Sequence, residues 1–155
     1  TWLGRDKTPY ALDSRSDVKV LLAEPSYLDE IAQLHHQAFS DPEETLDVSR
    51  RYITEALKDS DGLLYILLKE AQVIGVCTVD LSGNNNYLYG LAVAEAYRGL
   101  GYGSYLAKSV VNQLIAQNDK SFQIAVEDSN VGAKRLYEKI GFVTQTQVVY
   151  LKPKE

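Results

Sequence analysis

The chain has 155 residues with 16 basic and 21 acidic side chains, and its formal net charge is −5 at pH 7. This length suits one domain with one core, and 45% apolar and 24% charged residues exclude an intrinsically disordered, collagenous or coiled-coil chain. No apolar run approaches the ~18 residues of a membrane span, and a net negative charge repels nucleic-acid phosphates. We therefore expect neither a membrane nor a nucleic acid as a partner.

The first half of the chain predicts one strand, two helices and a hairpin. Residues 1–17 are polar and aperiodic, so we interpret them as an N-terminal arm or interdomain linker outside the core, and residues 18–155 as the functional domain. A strand follows over residues 18–23, and Ser26 with Asp29 fits a capping box that opens a helix ending near Phe39. Further predictions are a helix over 45–58 and strands over 63–69 and 73–81, joined by a short turn at 70–72.

The second half alternates strands with helices. A strand over 87–93 leads into a glycine-rich loop, and apolar residues at helical spacing predict a helix from Gly103 onwards. The remaining predictions are a strand over 122–126, a helix over 131–140 that Gly141 ends, and one or two strands within 142–151. The order β-α-α-β-β-β-α-β-α-β-β, without an internal repeat, predicts a mixed α/β (α+β) layer fold.

The loop between the 87–93 strand and the following helix carries the clearest functional signal. Gly99, Gly101 and Gly103 occupy alternate positions where the helix begins. Glycine lets the backbone approach a ligand closely, and the first N–H groups of a helix lack internal partners and lie at the positive end of its dipole. The amides from Gly99 to Ser104, with Arg98 nearby, therefore predict a diphosphate site. A tightly packed turn with no ligand is the alternative.

Two familiar nucleotide loops do not fit this segment. A P-loop ends in Gly-Lys-Ser/Thr, and the dinucleotide fingerprint has the spacing Gly-x-Gly-x-x-Gly. The pattern here is Arg98-x-x-Gly101-x-Gly103, followed downstream by Asn130-x-x-Ala133-x-x-Leu136-Tyr137-Glu138-Lys139-x-Gly141-Phe142. This pair of motifs resembles the GNAT superfamily of acyl-CoA-dependent N-acyltransferases over about residues 18–151. The resemblance implies a mostly antiparallel sheet with splayed central strands, flanked by helices.

The resemblance implies that acetyl-CoA binds here as the acyl donor. The backbone of the 91–93 segment would pair with the pantetheine amides as an added strand does, although its side chains also suit an ordinary core. Asn130 would stand near the pantetheine and the diphosphate, and an asparagine before a helix is also a routine N-cap. The implied cofactor-binding residues are Leu91, Ala92, Val93, Arg98, Gly99, Leu100, Gly101, Tyr102, Gly103, Ser104, Asn130 and Ala133.

The resemblance also implies that Tyr137 is the general acid. A thiolate of pKa near ~8.5 leaves more easily when a hydroxyl protonates it. Without the resemblance, Tyr137 reads as a core aromatic, because Ala133, Leu136 and Ile140 share its helix face. The amine can attack the thioester directly, so no covalent acetyl-enzyme is needed. We therefore interpret the lone Cys77 as a small buried core residue and not as a nucleophile.

The sequence does not identify a general base. An alkylamine of pKa ~10.4 is neutral in about one molecule in 2,500 at pH 7, a handicap of roughly 4.6 kcal/mol, so a base or desolvation must help. No acid occurs over residues 87–91. The resemblance implies that Ala125 occupies the place where some ribosomal-protein acetyltransferases carry a glutamate. The candidates are Glu127, Tyr87, Tyr89, His35 and His36, each of which also has an ordinary structural interpretation.

We therefore expect an N-acetyltransferase that moves an acetyl group from acetyl-CoA to a primary amine in a ternary complex. The acceptor is a small molecule or a peptide, and the net negative charge favours a cationic one. The single cysteine cannot form an internal disulfide, which favours the cytoplasm as the location. No Cys/His cluster has the spacing of a zinc site, so we expect no bound metal. The chain starts at Thr1 and contains no methionine, which favours a processed product or a piece of a longer protein. A homodimer and a partner domain upstream both stay open. The alternatives are a non-catalytic CoA-binding module of a tandem-domain protein and an unrelated nucleotide-binding domain.

Overall fold

The computed structural model describes residues 2–5, 9–11, 15–39, 43–125 and 131–144. The strands within these ranges are β1 (Trp2–Arg5), β2 (Lys19–Leu22), β3 (Gly62–Lys69), β4 (Gln72–Asp80), β5 (Asn86–Val93), β6 (Phe122–Ala125) and β7 (Val143–Thr144). The helices are α1 (Leu28–Phe39), α2 (Leu46–Lys58), α3 (Tyr102–Gln117) and α4 (Val131–Lys139).

The strands form one sheet in the order β2-β3-β4-β5-β6-β1-β7. The pair β5/β6 is parallel, and the other neighbouring strands are antiparallel. The predicted hairpin between β3 and β4 is present, and its two turn residues, Glu70 and Ala71, have φ angles of 51° and 65°. Two consecutive left-handed residues match the twist of the flanking strands. The predicted mixed α/β fold with a mostly antiparallel sheet is confirmed.

Helices cover both faces of the sheet. Successive β3 side chains point to opposite faces and belong to two different apolar clusters. Leu64, Ile66 and Leu68 belong to the cluster that includes α1 and α2 residues, whereas Tyr65 and Leu67 belong to the cluster that includes α3 and α4 residues. The sheet is therefore the middle layer of three. The 91–93 end of β5 and the α3 N-terminus come together at one edge of this arrangement.

The interpretation of residues 1–17 as an arm outside the core is wrong for β1. This strand lies between β6 and β7, with Leu3 opposite both Ile124 and Thr144, and the Leu3 side chain is fully buried. Further along, the backbone of Tyr10 exchanges hydrogen bonds with the Asn112 side chain on α3 at 2.8 and 3.1 Å. Four residues are too few to show a period, which is why the sequence pattern missed this strand.

The predicted capping box at Ser26 is also wrong. Pro25–Tyr27 form a 3-10 turn, in which the Tyr27 N–H donates to the Glu24 carbonyl oxygen at 3.0 Å, and α1 starts at Leu28. Pro25 occupies the first position of that turn, where its missing N–H costs nothing. The predicted strands within 142–151 are described only at β7, and residues 145–151 lie outside the described residues.

Candidate active site

Strand β5 leaves its parallel neighbour halfway along its length. It pairs with β6 from Asn86 to Leu88, whereas it pairs with β4 as far as Val93. The Tyr89–Val93 edge that faces away from β4 has no strand beside it among the described residues. An open edge of this kind exposes backbone amides that can bind an extended ligand.

A β-bulge shapes this open part of β5. Thr78 lies opposite Tyr89 and Val76 lies opposite Ala92, so two residues of β5 face the single residue Cys77. One of these two residues, Gly90, has a φ of 65°, which a side chain would strain. The bulge bends the strand where it departs from β6.

The peptide groups of Val93 point to the open edge. The neighbouring Ala94 N–H donates to the Ile74 carbonyl oxygen of β4 at 2.8 Å. Because successive residues of a strand direct their N–H and C=O groups to opposite sides, those of Val93 point away from β4. The Val93 carbonyl oxygen accepts a hydrogen bond from Arg98 Nε at 2.9 Å, and its N–H faces the groove beside the strand.

The glycine-rich loop places the N-terminus of α3 at the end of this edge. Gly99 and Gly101 have φ angles of 77° and 86°, and Gly101 is the N-cap residue. A Cβ on Gly103 would lie 3.0 Å from Leu136 Cδ1 and 3.5 Å from Val93 Cγ2, so this glycine lets α3 pack closely against α4 and β5. The first turn of α3 has no acidic side chain, which leaves its positive dipole end uncompensated.

A cavity of about 770 Å³ joins these elements. It brings together eight of the predicted cofactor-binding residues with parts of α1 and α4. Among the described residues, its lining contains the cationic side chains of Arg98, Arg135 and Lys139 and no acidic side chain. The lining residues are Ala38, Phe39, Leu91, Ala92, Val93, Tyr97, Arg98, Gly99, Gly101, Gly103, Ser104, Gly132, Arg135, Leu136 and Lys139.

Two of the predicted cofactor-binding residues, Leu100 and Tyr102, are described and do not line the cavity, and for two others the structure gives no side-chain position. Leu100 is 60% exposed on the loop. The Tyr102 side chain is buried, with the Arg15 guanidinium 4.4 Å above its ring and its hydroxyl donating to Asp17 at 3.1 Å. Ala133 lies in α4, but its side chain is outside the described part, and Asn130 lies outside the described residues.

Sequence reasoning missed the two cations of α4 in the cavity. Arg135 and Lys139 are one helical turn apart, and both share a helix face with Gly132 and Leu136 at the spacing i, i+3, i+4 and i+7. Since Leu136 contacts the α3 N-terminus, that spacing would have placed both cations beside it. Their charges and the helix dipole all favour an anionic ligand.

Tyr137 is not among the residues that line the cavity. Its side chain is 4% exposed, and its ring packs edge-on against Phe142 at 5.7 Å. Burial raises the pKa of Tyr137 well above its ordinary value of 10, with smaller contributions from Cys77 and Tyr87. The phenol therefore keeps its proton at neutral pH, as a proton donor requires.

Cys77 is fully buried, as predicted from its apolar strand. Burial raises the pKa of its thiol to about 12, so the thiolate needed by a nucleophile does not form at neutral pH. The described residues contain no group of three or more His, Cys, Asp or Glu side chains placed to hold a metal ion. Among these same residues, no helix has the length and apolar character to cross a bilayer.

None of the described candidates for the general base lines the cavity. Burial, a hydrogen bond with Tyr52 and nearby acids strongly raise the pKa of Tyr89, which keeps this phenol protonated. His35 stacks on Tyr52 at 4.7 Å, and burial lowers its pKa, so it is neutral at pH 7. His36 has a buried Nδ1 with no hydrogen-bond partner among the described residues. Glu127 lies outside the described residues.

The comparisons with known proteins agree with this geometry. Residues 28–142 match the model of the acetyltransferase (GNAT) family. Over 89 residues, 56% of the chain, the sequence is 32% identical to the [ribosomal protein bS18]-alanine N-acetyltransferase of Haemophilus influenzae, and the match spans 60% of that relative's length.

Two solved structures share the fold at lower sequence identity. The ribosomal-protein-S18-alanine N-acetyltransferase of Escherichia coli has a TM-score of 0.71 and 19% identity, covering 83% of this chain and 79% of that one. The aminoglycoside antibiotic 6'-N-acetyltransferase of Acinetobacter haemolyticus has a TM-score of 0.70 and 18% identity, covering 88% and 99%. A family match over most of the sequence, on a fold with a splayed β5 and a glycine-rich α3 N-terminus, shows that the chain belongs to the GNAT family of acetyltransferases.

Proposed function

We propose that this protein transfers an acetyl group from acetyl-CoA to a primary amine. One observation carries the proposal: the open edge of β5 meets the N-terminus of α3 in a cavity whose described lining has three cations and no acidic residue. A CoA thioester combines the groups that such a site would bind, namely phosphates and a pantetheine chain with amides. The chain is acidic overall, so the cationic lining is a local feature of this cavity.

The residues present fit acetyl-CoA as the acyl donor. The first N–H groups of α3, from Tyr102 to Ser104, would donate hydrogen bonds to the diphosphate, and Arg98 would add a positive charge beside it. The β5 edge would hydrogen-bond the pantetheine amides. The Val93 N–H points into the same groove and would donate to a pantetheine amide oxygen. The next outward N–H of the strand, that of Leu91 beside the bulge, would donate to the thioester carbonyl oxygen, where negative charge develops during attack.

The proposed reaction is direct acyl transfer. The neutral amine nitrogen of the acceptor attacks the thioester carbonyl carbon, a C–N bond forms, and the C–S bond then breaks. The sulfur takes a proton from the Tyr137 hydroxyl, the nitrogen loses a proton to water, and the Tyr137 phenolate regains a proton from water, so the products are an amide and free CoA thiol. Since Tyr137 is buried and does not line the cavity, the proposal requires the thioester end of the cofactor to enter more deeply than the lining described above.

Deprotonation of the acceptor has no described carboxylate in the cavity to assist it. The neutral fraction of an alkylamine rises about tenfold per pH unit below its pKa. We therefore propose that the acceptor enters as the free amine, with its ammonium proton lost to water before attack.

The acceptor is proposed to be a small amine or the N-terminus of a peptide. The relatives include an acetyltransferase for the alanine of ribosomal protein bS18 and one for an aminoglycoside antibiotic, and both act on amines. A screen of amines and alanine-initiated peptides with acetyl-CoA, followed by release of free thiol, tests the proposal. Acceptor-dependent thiol release is expected.

A second candidate is a CoA-binding module without turnover. The observation that favours it is the lack of any described general base in the cavity. This candidate predicts that CoA raises the melting temperature while no amine or peptide in the screen releases thiol. Equal stabilisation by NAD or ATP would instead point to a general nucleotide site and contradict both candidates.

A further inference from the structure

Aromatic rings line the face of the sheet that α1 and α2 cover, next to the cavity. Tyr87 and Tyr89 of β5 stack with their ring centroids 5.6 Å apart. Tyr89 hydrogen-bonds with Tyr52 of α2, which stacks on His35. His35 in turn lies 5.0 Å from Phe39, a lining residue of the cavity. These five residues form one continuous patch, which we call the aromatic surface.

Part of the aromatic surface is open to solvent. Phe39 is 45% exposed and Tyr52 is 43% exposed, although both lie beside buried neighbours. Adjacent exposed rings that border a cavity are a common feature of ligand sites, because their faces bind apolar chains and cations. The aromatic surface lies on the other side of β5 from the apolar cluster that contains Tyr137.

Two carboxylates stand at the end of the aromatic surface. Gly62 of β3, Asp80 of β4 and Tyr87 of β5 lie directly opposite one another in adjacent strands. Cross-strand partners share one face of a sheet and are separated by about 4.8 Å per strand. The Asp59 Oδ2 atom at the end of α2 lies 3.1 Å from the position of a Cβ on Gly62, so it lies over the same face.

Both carboxylates are available to a ligand. Asp59 and Asp80 form no salt bridge with a basic side chain of the described residues. Hydrogen bonds from the Ser82 hydroxyl and N–H lower the pKa of Asp80, which keeps it ionised at neutral pH. Lys120 also lowers that pKa, but its Nζ is held by the carbonyl oxygens of Leu81 and Gly83 at 2.6 and 2.9 Å.

We propose that the acceptor carries a second positive charge, besides the amine that is acetylated, and that this charge binds between Asp59 and Asp80 against the rings of Tyr87 and Tyr89. This inference rests on the proposed function. Carboxylates and ring faces both attract a cation, and an anionic or neutral group gains neither interaction.

The geometry sets the distance between the two charges. A strand rises about 3.3 Å per residue, so Tyr87 lies roughly 10 Å from the bulge at Gly90, where the open edge begins. A diamine of about six carbons spans this distance, and so does a basic side chain next to a peptide N-terminus. The shared chemistry is a primary amine with a second cation roughly 10 Å away, and the experiment distinguishes its two sources.

The test compares matched acceptors with the full chain. One arm uses 1,6-diaminohexane, n-hexylamine and 6-aminohexanoate, and the other uses two tetrapeptides, Ala-Arg-Ala-Ala and Ala-Glu-Ala-Ala. In at least one arm, the cationic acceptor is expected to have a kcat/KM about three- to tenfold above its uncharged or anionic match. The arm with the larger ratio identifies a small amine or a peptide as the source.

Two variants localise the effect. Asp59→Asn retains the oxygen that accepts from the Asp61 N–H, and Asp80→Asn retains the oxygen that accepts from Ser82, so the local turns keep their hydrogen bonds. Each variant is expected to lose most of the preference for the cationic acceptor. The matched control is Glu70→Gln, which removes one negative charge from the opposite end of the β3/β4 hairpin, about 25 Å away. It should leave the ratio of kcat/KM between the cationic acceptor and its match unchanged.

Binding without turnover separates this inference from the proposed function. Titration calorimetry with 1,6-diaminohexane and with Ala-Arg-Ala-Ala, in the absence of acetyl-CoA, should show one of them binding to the unmodified chain and more weakly to both Asn variants. Such binding without any thiol release would overturn the proposed function and leave the second-charge site standing. Equal kcat/KM for cationic and uncharged acceptors, a preference that persists in both variants, or no binding of either cation would overturn the inference.

Discussion

The Nε of Arg98 donates a hydrogen bond to the Val93 carbonyl oxygen at 2.9 Å and ties the glycine-rich loop to the end of β5. The guanidinium is therefore oriented by the strand that borders the cavity. An oriented cation loses less conformational entropy on binding an anion than a mobile side chain does.

Replacing Arg98 should weaken CoA binding through both its charge and its tie to Val93. We expect Arg98→Ala to raise the Kd for CoA about tenfold or more. Arg98→Lys should restore only part of the lost affinity, because lysine keeps the charge but has no Nε donor at that position. Calorimetry with CoA measures both variants. Arg51→Ala, which removes an exposed cation of α2, is the control, and an equal loss there would show a general charge effect.

The two cations of α4 should contribute to the same binding. Arg135→Gln and Lys139→Gln are each expected to raise the Kd for CoA about three- to tenfold and to reduce its dependence on salt concentration. Lys134→Gln is the matched control, because Lys134 lies on the same helix but does not line the cavity. If all three variants bind CoA equally well, the α4 cations do not contact the ligand.

Gly103 should tolerate no side chain while Leu136 keeps its position. Gly103→Ala places a methyl group 3.0 Å from Leu136 Cδ1, and we expect a loss of about 1–3 kcal/mol in the free energy of unfolding. Gly132→Ala on α4 has open space and should stabilise the helix by roughly 0.5–1 kcal/mol. Urea unfolding measures both changes, and equal effects of the two substitutions would contradict the packing role of Gly103.

Tyr137→Phe separates proton donation from packing. If thiolate departure limits the rate, kcat should fall about tenfold or more while the Kd for CoA is unchanged. Stopped turnover with loss of CoA binding would instead indicate a structural role. Since the pKa of the folded Tyr137 is raised above its ordinary value of 10, activity should show no loss of this proton donor below about pH 10.

The same pKa shift has a consequence for stability. The unfolded phenol loses its proton near pH 10, while the buried one retains it, so the unfolded state binds fewer protons above that pH. The contribution of Tyr137 is fully present below pH 10 and is lost as the pH rises further. Between pH 9 and 11, the free energy of unfolding of Tyr137→Phe should therefore fall less steeply with pH than that of the unmodified chain. Unfolding followed by circular dichroism measures this difference.

The N-terminal strand should be essential for stability. Leu3→Ala removes a fully buried side chain from the sheet, and we expect a loss of about 2–5 kcal/mol in the free energy of unfolding. Leu100→Ala removes the same group from a largely exposed position and should cost less than about 0.5 kcal/mol. Similar midpoints for the two variants in thermal unfolding would mean that β1 adds little to the fold.

Local patterns predicted the parts of the site that are local in the chain. The β5 strand, the three alternating glycines and the start of α3 follow one another within 20 residues, so their spacing was visible in the sequence. The prediction for Tyr102 concerned its backbone N–H. The buried position of its side chain was not predicted, because one residue of a helix turns by about 100°, enough to direct a side chain to the core instead of the ligand. Arg135 and Lys139 required knowledge of how α4 packs on α3.

Long-range contacts account for most of what the sequence did not predict. Leu3 is buried by strands more than 100 residues away, and the row of Asp80 and Tyr87 depends on the pairing register of β4 and β5. The alternation within each strand predicts a buried face, but not which residue of the neighbouring strand lies opposite. The bulge at Gly90 adds a further shift of register.

The place of β1 has a consequence for how the chain reaches its native state. Strand β1 pairs with Ala125 and Val143, which lie more than 120 residues further along the chain, so this half of the sheet cannot assemble until those later strands have left the ribosome. Contacts between such distant residues slow folding, because a long loop must close first. Until then the edge of β6 stays unprotected, and chaperone binding or aggregation would begin there.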